Sequence, residues 1–543
     1  MKKFCLLPAL ICCSLTMLQA QVERPKLVVG IVVDQMRWDY LYRYQARYGE
    51  GGFKRLLGEG FTCENTMIPY VPTVTAIGHS CIYTGSVPSI TGIAGNNFML
   101  NGQETYCTDD ASVRGVGTTS EAGLMSPRNL QTTTIGDELR LATNGRSKVV
   151  GVALKDRASI LPAGKNPTGS YWFDNATGSF VTSTWYCEEL PEWVEAFNNR
   201  HLPDLYLSKP WETLYPEETY TESTQDSAPQ YEKEVSEGFP ARLPLDLPAI
   251  YEQMGYDIVR RTPFGNTLTL QMAKAAIEGE QLGGDDWTDL LCVSCSSTDY
   301  IGHQVGTNAV EIEDVYLRLD KDIEEFLIYL DEHVGKGNYL VFLTADHGAM
   351  NNKTFLNDRR MAAESWNEDE LKDCLNRALG QVYTGAGELV ACCMNYQVFF
   401  DIKKIDSLGL SYDEVKAACV RILQNDPRVL YACDQERTAT ASIPEPIRTR
   451  IINGYNRERS GGVQVITKPR NYYGDDQGTD HGMWNPYDSH IPLVFMGWGI
   501  KHGATTLPTY MTDIAPTLCA LLHIQMPDGC VGTPISRLLE LNW

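Results

Sequence analysis

The chain of 543 residues has no internal repeat and no low-complexity tract, which excludes solenoid, fibrous and extended disordered architectures. It is poor in positive charge: 46 Lys and Arg stand against 69 Asp and Glu, a formal net charge of −23. That balance argues against a nucleic-acid partner, or an anionic membrane, held by long-range attraction. A protein this acidic binds phosphate only through strong local cations, so metal ions or a Lys/Arg pair would be needed. After residue 20 no stretch is apolar enough to span a bilayer. A regular disulfide framework is also missing. The sixteen cysteines are scattered, and Cys5, Cys12 and Cys13 fall in the first twenty residues, leaving an odd number. Cys292 and Cys295 form a CxxC inside the apolar run LLCVSCSS and read as buried strand residues, not a redox or zinc pair. Cys392 and Cys393 read the same way.

What is present begins with MKKFCLLPALICCSLTMLQA, residues 1 to 20. A basic start, a short apolar run and a small-residue end predict a cleaved secretory signal. The mature protein is then expected to be exported, to the periplasm or beyond. Residues 21 to 543 suit one large domain with insertions.

Several runs read as strands buried on both faces: KLVVGIVV (26–33), KVVGVAL (148–154), 288–295, YLVFLT (339–344) and IPLVFM (491–496). Helical patterns lie between and after them at 37–59, 134–144, 266–280, 311–333 and 512–522. This alternation predicts an α/β fold, a doubly wound and mostly parallel sheet with helices on both faces. Two stretches depart from it. Residues from about 166 to 250 are rich in aromatics, Pro and acidic residues and read as loops and short strands laid over the sheet. Residues from about 350 to 475 carry their own strands and a helix and read as a small α/β subdomain.

In a doubly wound sheet the site lies beyond the carboxyl ends of the strands. Asp34, Lys155, Asp299 and Asp346 all have that address. Asp299 and His303 are four apart, one turn if helical; Asp346 and His347 are adjacent; His481 sits in the polar loop GTDHG. Three Asp and three His suit two zinc ions, each with three protein ligands and an open position. Lys155 and Arg157 flank Asp156 at a strand end, and a guanidinium fork and an ammonium suit phosphoryl oxygens. The stretch VPTVTAIGHSCIYTGSVPSITGIAGNN, residues 71 to 97, places Thr73 and Thr75 at a turn before a helix-like segment and ends in a Gly-rich loop with Asn96. Alone, both threonines read as turn and cap residues. Beside zinc, a hydroxyl becomes a nucleophile, because ligation lowers its pKa as it lowers that of water, from about 15.7 to about 7.

Taken in order, PTVTAIGH, TGSVPSI, the GN pair, ALKDR, STDYIGH, LTADHG and GTDHG resemble the alkaline phosphatase superfamily. Within it they are most similar to the threonine-nucleophile alkaline phosphatases of the phosphate-irrepressible type. The resemblance runs over residues 30 to 482. It implies Thr75 as nucleophile, with Asn96 twenty-one residues later. One zinc would be held by Asp34, Asp346, His347 and the Thr75 oxygen, the other by Asp299, His303 and His481. Asn96, Lys155 and Arg157 would bind non-bridging phosphoryl oxygens. The implied reaction is in-line attack on phosphorus, a phosphothreonine enzyme and its hydrolysis. Related diesterases and nucleotide pyrophosphatases typically lack the Lys-x-Arg pair, and a monoester carries about one more negative charge than a diester. Phosphate monoesters are therefore the expected substrates. The alternatives are a phosphodiesterase or nucleotide pyrophosphatase of the same fold, and a non-catalytic exported zinc-binding protein. A Cys-x-Pro-x-Arg sulfatase motif is absent, since Cys81 is followed by Ile-Tyr-Thr.

Overall fold

Leu27–Val33, a run of β-branched and aliphatic residues, forms β1 and is buried along its whole length. It is the central strand of the computed structural model, which describes residues 23–226 and 230–540. The signal expected at residues 1 to 20 lies outside the described residues. The remaining strands of the main sheet are β2 (Phe61–Cys63), β3 (Gly115–Val116), β4 (Val149–Ala153), β5 (Gly169–Asp174) and β6 (Ser179–Ser183). They continue with β7 (Asp289–Cys295), β8 (Tyr339–Thr344), β9 (Leu493–Gly497) and β10 (Gly503–Thr505). Across the sheet the order is β10-β2-β9-β8-β1-β7-β4-β5-β6-β3. The five strands from β8 to β5 are mutually parallel. β9 and β6 run antiparallel on either side of them.

The helices that matter here are α1 (Thr75–Thr84), α2 (Asp156–Ala163), α3 (Phe264–Glu280), α4 (Ser297–Val305), α5 (Val310–Leu330) and α6 (Ile514–Leu522). They cover both faces of the sheet. A side chain at Gly30 would strike Tyr83 of α1, whereas Leu27, on the opposite face of β1, lies beside Gly283, which follows α3. On α5 the residues Ile312, Val315, Leu319, Ile323, Phe326, Leu327 and Leu330 are all buried, as their helical spacing requires.

Three expectations change. The stretch 37–59 is two short helices, Tyr40–Arg43 and Phe53–Glu59, not one. Three glycines interrupt it, and Asp320 of α5 accepts the backbone N–H groups of Gly49 and Phe53, both at 2.7 Å. Nor does the whole of 166–250 lie over the sheet. Its first two strands are β5 and β6, which extend the sheet, and Trp172, Phe173, Phe180 and Val181 on them are core residues. The strand expected near 388 to 400 is a hairpin of Val390–Met394 and Gln397–Phe400. With Val429–Asp434 and Val463–Thr467 it makes a separate four-stranded antiparallel sheet. That sheet has its own apolar core with Leu371, Leu375, Val398, Val415 and Val465.

The ladder sets the site. Ala153, Ser294, Val32 and Thr344 lie in one row across β4, β7, β1 and β8. Lys155, Asp34 and Asp346 each follow two residues after that row, so the pleat's period of two points them to the same side. α1 then packs directly on the end of β8: a Cβ at Gly78 would lie 2.6 Å from the Asp346 Cβ and 2.5 Å from its carbonyl oxygen. Gly78→Ala is expected to destabilise the protein by about 1–3 kcal/mol through overpacking. Thermal unfolding checks this, and an unchanged midpoint would contradict the close approach.

Candidate active site

Thr75 is the first residue of α1, and its side chain is buried at the carboxyl edge of the sheet. Val74 before it is extended and provides no side-chain cap. Asn96 supplies that cap from outside the helix: its Oδ1 accepts the Ala76 N–H at 2.9 Å, which leaves its amide N–H₂ as the donor. The Thr75 hydroxyl lies 3.4 Å from His347 Nε2. The helix N-terminus adds a field favourable to negative charge at this point.

Asp34, Asp346 and His347 form one group of donor atoms beside Thr75, all buried. Asp299 meets His303 Nε2 at 3.1 Å and His481 Nε2 at 3.8 Å. The donor atoms also gather across these sets, because Asp299, His347 and His481 are mutually close, and so are His303, Asp480 and His481. The rings of His347 and His481 stack with centroids 3.5 Å apart.

The three histidines share one arrangement. His303 Nδ1 lies 2.9 Å from the Thr479 carbonyl, His347 Nδ1 lies 3.0 Å from that of Gly348, and His481 Nδ1 lies 2.6 Å from that of Thr73. A carbonyl only accepts, so each Nδ1 carries the proton and each Nε2 turns toward the site; those of His347 and His481 present a bare lone pair, while that of His303 faces the Asp299 carboxylate. Asp34 Oδ1 and Asp346 Oδ2 are buried and accept no hydrogen bond among the described residues. The only ammonium among these groups is that of Lys155, whose Nζ sits 2.7 Å from Asp34 and 2.5 Å from Asp299. Three buried carboxylates against one ammonium leave an excess of negative charge that burial penalises heavily unless it is paired or metal-bound. Bare imidazole nitrogens and unsatisfied carboxylate oxygens are the donor set that divalent metal ions take. The residues present therefore fit metal ions.

The electrostatics follow from this crowding. Burial, with the charges of Asp299 and Asp346 added, pushes the Asp34 carboxyl well above the usual carboxylate range. Burial also lowers the His347 imidazole, and together with His347 and His303 it holds His481 well below its ordinary value. Both rings are thereby kept neutral and able to ligate. Burial opposes the charge on His303, but Asp299 and Asp480 outweigh it and raise that group to about 9. Lys155 behaves alike: its carboxylate partners overcome burial and keep it above its ordinary value.

Every candidate site residue read from the sequence lies in this region. Asp156, between the two cations, does not pair with Arg157. It accepts instead from Tyr106 Oη at 3.0 Å and from Thr108 Oγ1. His490 is no donor here; it stacks on Trp38, and its Nε2 lies 2.9 Å from the Glu64 carbonyl. Four contributors escaped the sequence reading. Gln35, in the left-handed region at φ 64°, donates through Nε2 to Asp299 at 2.7 Å and through its backbone N–H to Asp346 at 3.1 Å. His79 lies 3.3 Å from Asp346 and 2.8 Å from Ser294 Oγ. Asp480 is 4.0 Å from both His303 and His481. Tyr106 receives a hydrogen bond from Arg157 Nη1 at 2.9 Å. Asp480 and Gln35 adjoin His481 and Asp34, which was the available signal. His79 ends the PTVTAIGH motif, but nothing local gave it a role, and for Tyr106 no local pattern pointed here.

Comparison with known proteins agrees with this geometry. The pattern of the family described as type I phosphodiesterase / nucleotide pyrophosphatase matches residues 28–490. The chain is 53% identical over 522 residues to alkaline phosphatase PafA of Elizabethkingia meningoseptica, covering 95% of each chain. It is 51% identical to a protein of Myroides odoratus named a calcium-transporting ATPase, covering 96% of each, and 51% identical to alkaline phosphatase PhoV of Synechococcus elongatus, covering 96% and 94%. The crystal structure of wild-type PafA superposes with a TM-score of 0.93 over 95% of this chain and 99% of that one. A PafA variant with one threonine, one asparagine, one lysine and one arginine replaced gives 0.92 at 52% identity over 95% of this chain and 99% of that one. Murine ectonucleotide pyrophosphatase/phosphodiesterase 5, 15% identical with a TM-score of 0.51 over 92% of this chain and 95% of that one, shares the fold alone.

His347 belongs to two of the donor groups. His481 does so as well, so His347→Ala is expected to lose more bound divalent metal than substitution of a ligand that belongs to one group alone, measured by elemental analysis of the purified protein. A full metal complement in that variant would contradict the donor grouping.

Proposed function

We propose that this chain, which belongs to the type I phosphodiesterase / nucleotide pyrophosphatase family, is an exported alkaline phosphatase that hydrolyses phosphate monoesters through a phosphothreonine intermediate. The observation that carries the reading is the juxtaposition at Thr75. Its hydroxyl stands at a helix N-terminus, 3.4 Å from His347 Nε2, with metal-capable donors on one side and Asn96 on the other. Two zinc ions are the proposed cofactors, because zinc accepts the mixed imidazole and carboxylate donors found here. One would be held by Asp34, Asp346 and His347 with the Thr75 oxygen, the other by Asp299, His303 and His481. When bound, such a pair lowers the pKa of coordinated oxygen and stabilises charge on the entering and leaving oxygens of a displacement.

The chain's own residues do the rest. Thr75 attacks phosphorus in line with the departing alkoxide, and its position at the start of α1 fixes the direction of attack. The amide of Asn96, free because Oδ1 is occupied by Ala76, donates to a non-bridging oxygen. Lys155 has three N–H donors, and Asp34 and Asp299 engage two, so the third is left for the phosphoryl group. Arg157 contributes its guanidinium to the same oxygens. Positioned donors of this kind act where charge is greatest in the transition state and reorganise little.

The two cations favour a monoester, whose extra negative charge they can meet. The fourfold PafA variant replaces the same four residue types as Thr75, Asn96, Lys155 and Arg157, and so supports this choice. ATP hydrolysis, implied by the name of the M. odoratus relative, is attack on a terminal phosphoryl group and falls within the same chemistry. The family description itself favours a second reading, hydrolysis of diesters or nucleotide pyrophosphates.

A nitrophenyl phosphate and its methyl diester separate the two. The monoester is expected to have a kcat/KM higher by orders of magnitude. Arg157→Ala should lower it by at least about tenfold, the loss of a charge-assisted hydrogen bond, with far less effect on the diester. A diester preferred by the wild type would overturn the monoesterase reading.

A further inference from the structure

Arg157 reaches the site by an indirect hold. Among the described residues no carboxylate pairs with its guanidinium, and its Nε is buried without a hydrogen-bond partner. Among the same residues its one side-chain hydrogen bond is from Nη1 to Tyr106 Oη at 2.9 Å, and the guanidinium carbon lies 5.9 Å from the centre of the same ring. The direction of that bond is settled by the next one. The Tyr106 hydroxyl must donate to Asp156 Oδ1, at 3.0 Å, because the carboxylate only accepts; its lone pair is then left for the arginine. Thr108 donates to the other oxygen of Asp156 and fixes that carboxylate in turn.

Tyr106 also has a telling place in the chain. The hairpin of Asn97–Leu100 and Gln103–Tyr106 starts directly after Asn96 and returns to pair Tyr106 with Asn97. Cys107 N–H then donates to the Asn96 carbonyl at 2.9 Å. One short hairpin thus sets both the backbone of Asn96 and the guanidinium of Arg157.

We propose that Tyr106 is a positioning residue for the phosphoryl clamp: its hydroxyl, polarised by Asp156, aims Arg157 while leaving the arginine's charge free for the substrate. The proposal rests on the reading that Arg157 binds a non-bridging phosphoryl oxygen. A direct Asp–Arg pair would orient the guanidinium equally well but would neutralise it and occupy two donors. A neutral hydroxyl between them takes one donor and keeps the remaining donors and the full charge available. Tyrosine suits this task because a ring with two rotatable bonds loses little entropy when held.

Tyr106→Phe keeps the ring and removes only the relay. We expect kcat/KM for the nitrophenyl monoester to fall about ten- to hundredfold, the loss of a hydrogen bond to a charged group. Inhibition by inorganic phosphate should weaken by a similar factor, and the methyl diester should change less than about threefold. In an Arg157→Ala background the substitution should cost nothing further, since the two act as one unit. Asp156→Asn keeps an acceptor for the hydroxyl and should lose less than Tyr106→Phe. Wild-type kinetics in Tyr106→Phe, equal losses on monoester and diester, or losses that add to those of Arg157→Ala would each overturn the role of Tyr106. If Arg157→Ala alone harms both substrates alike, the reading of Arg157 itself fails, whatever Tyr106→Phe does.

Discussion

The ammonium of Lys155 lies between Asp34 and Asp299, at 2.7 and 2.5 Å, and the rest of the site depends on that bridge. It joins three elements at one point: β4, which ends two residues before Lys155, β1, which ends just before Asp34, and α4, which carries Asp299. Without it, neighbouring carboxylates would repel one another in a region shut off from water, where such repulsion is strong. With it, the metal-capable donor groups sit side by side near Thr75 and still carry the negative charge that attracts divalent ions. The same residue therefore ties the groups to one another.

This address follows from the sheet. Four strand ends are level because the parallel ladders put Ala153, Ser294, Val32 and Thr344 in one row, and the pleat carries Lys155, Asp34 and Asp346 to the same side. The purely apolar runs made those strands legible in the sequence, and the polar residue ending each run marked the site. The Asp, His, Lys and Arg candidates could be found for that reason, with Thr75 and Asn96 singled out by their family spacing. Tyr106 could not, and His79, though it ends PTVTAIGH, could be given no role there. Tyr106 sits in a polar hairpin with no periodic signal, and His79 is one buried residue on a helix that is buried all round. Their relevance comes from side chains 51 and 267 positions away in sequence (Arg157 and Asp346), contacts that only the folded chain defines. The aromatic stretch after residue 166 misled for a related reason: Trp172 and Phe173 are strand residues whose bulk fills the core, while their neighbours in sequence look like loop.

The separate four-stranded sheet is not remote from the chemistry. Asn395, at the tip of its first hairpin, donates to the Asn97 carbonyl at 2.9 Å, beside the residue that caps α1. Arg459 donates to the backbone carbonyls of Gly92 and Asn129, which border the same Gly-rich loop. The loop that carries Asn96 is thus held by the small sheet on one side and by the α1 N-terminus on the other. A sequence reading could separate this subdomain by its own core, but where it docks depends on single polar residues at loop tips.

In the proposed reaction Thr75 receives the phosphoryl group. The most direct measurement is acid quenching of the metal-loaded enzyme during turnover of a phosphate monoester, followed by mass-spectrometric mapping of the trapped protein. A phosphoryl group is expected on Thr75 and on no other residue, with none trapped in Thr75→Ala. A phosphoryl group on another side chain, or rapid turnover in Thr75→Ala, would contradict it.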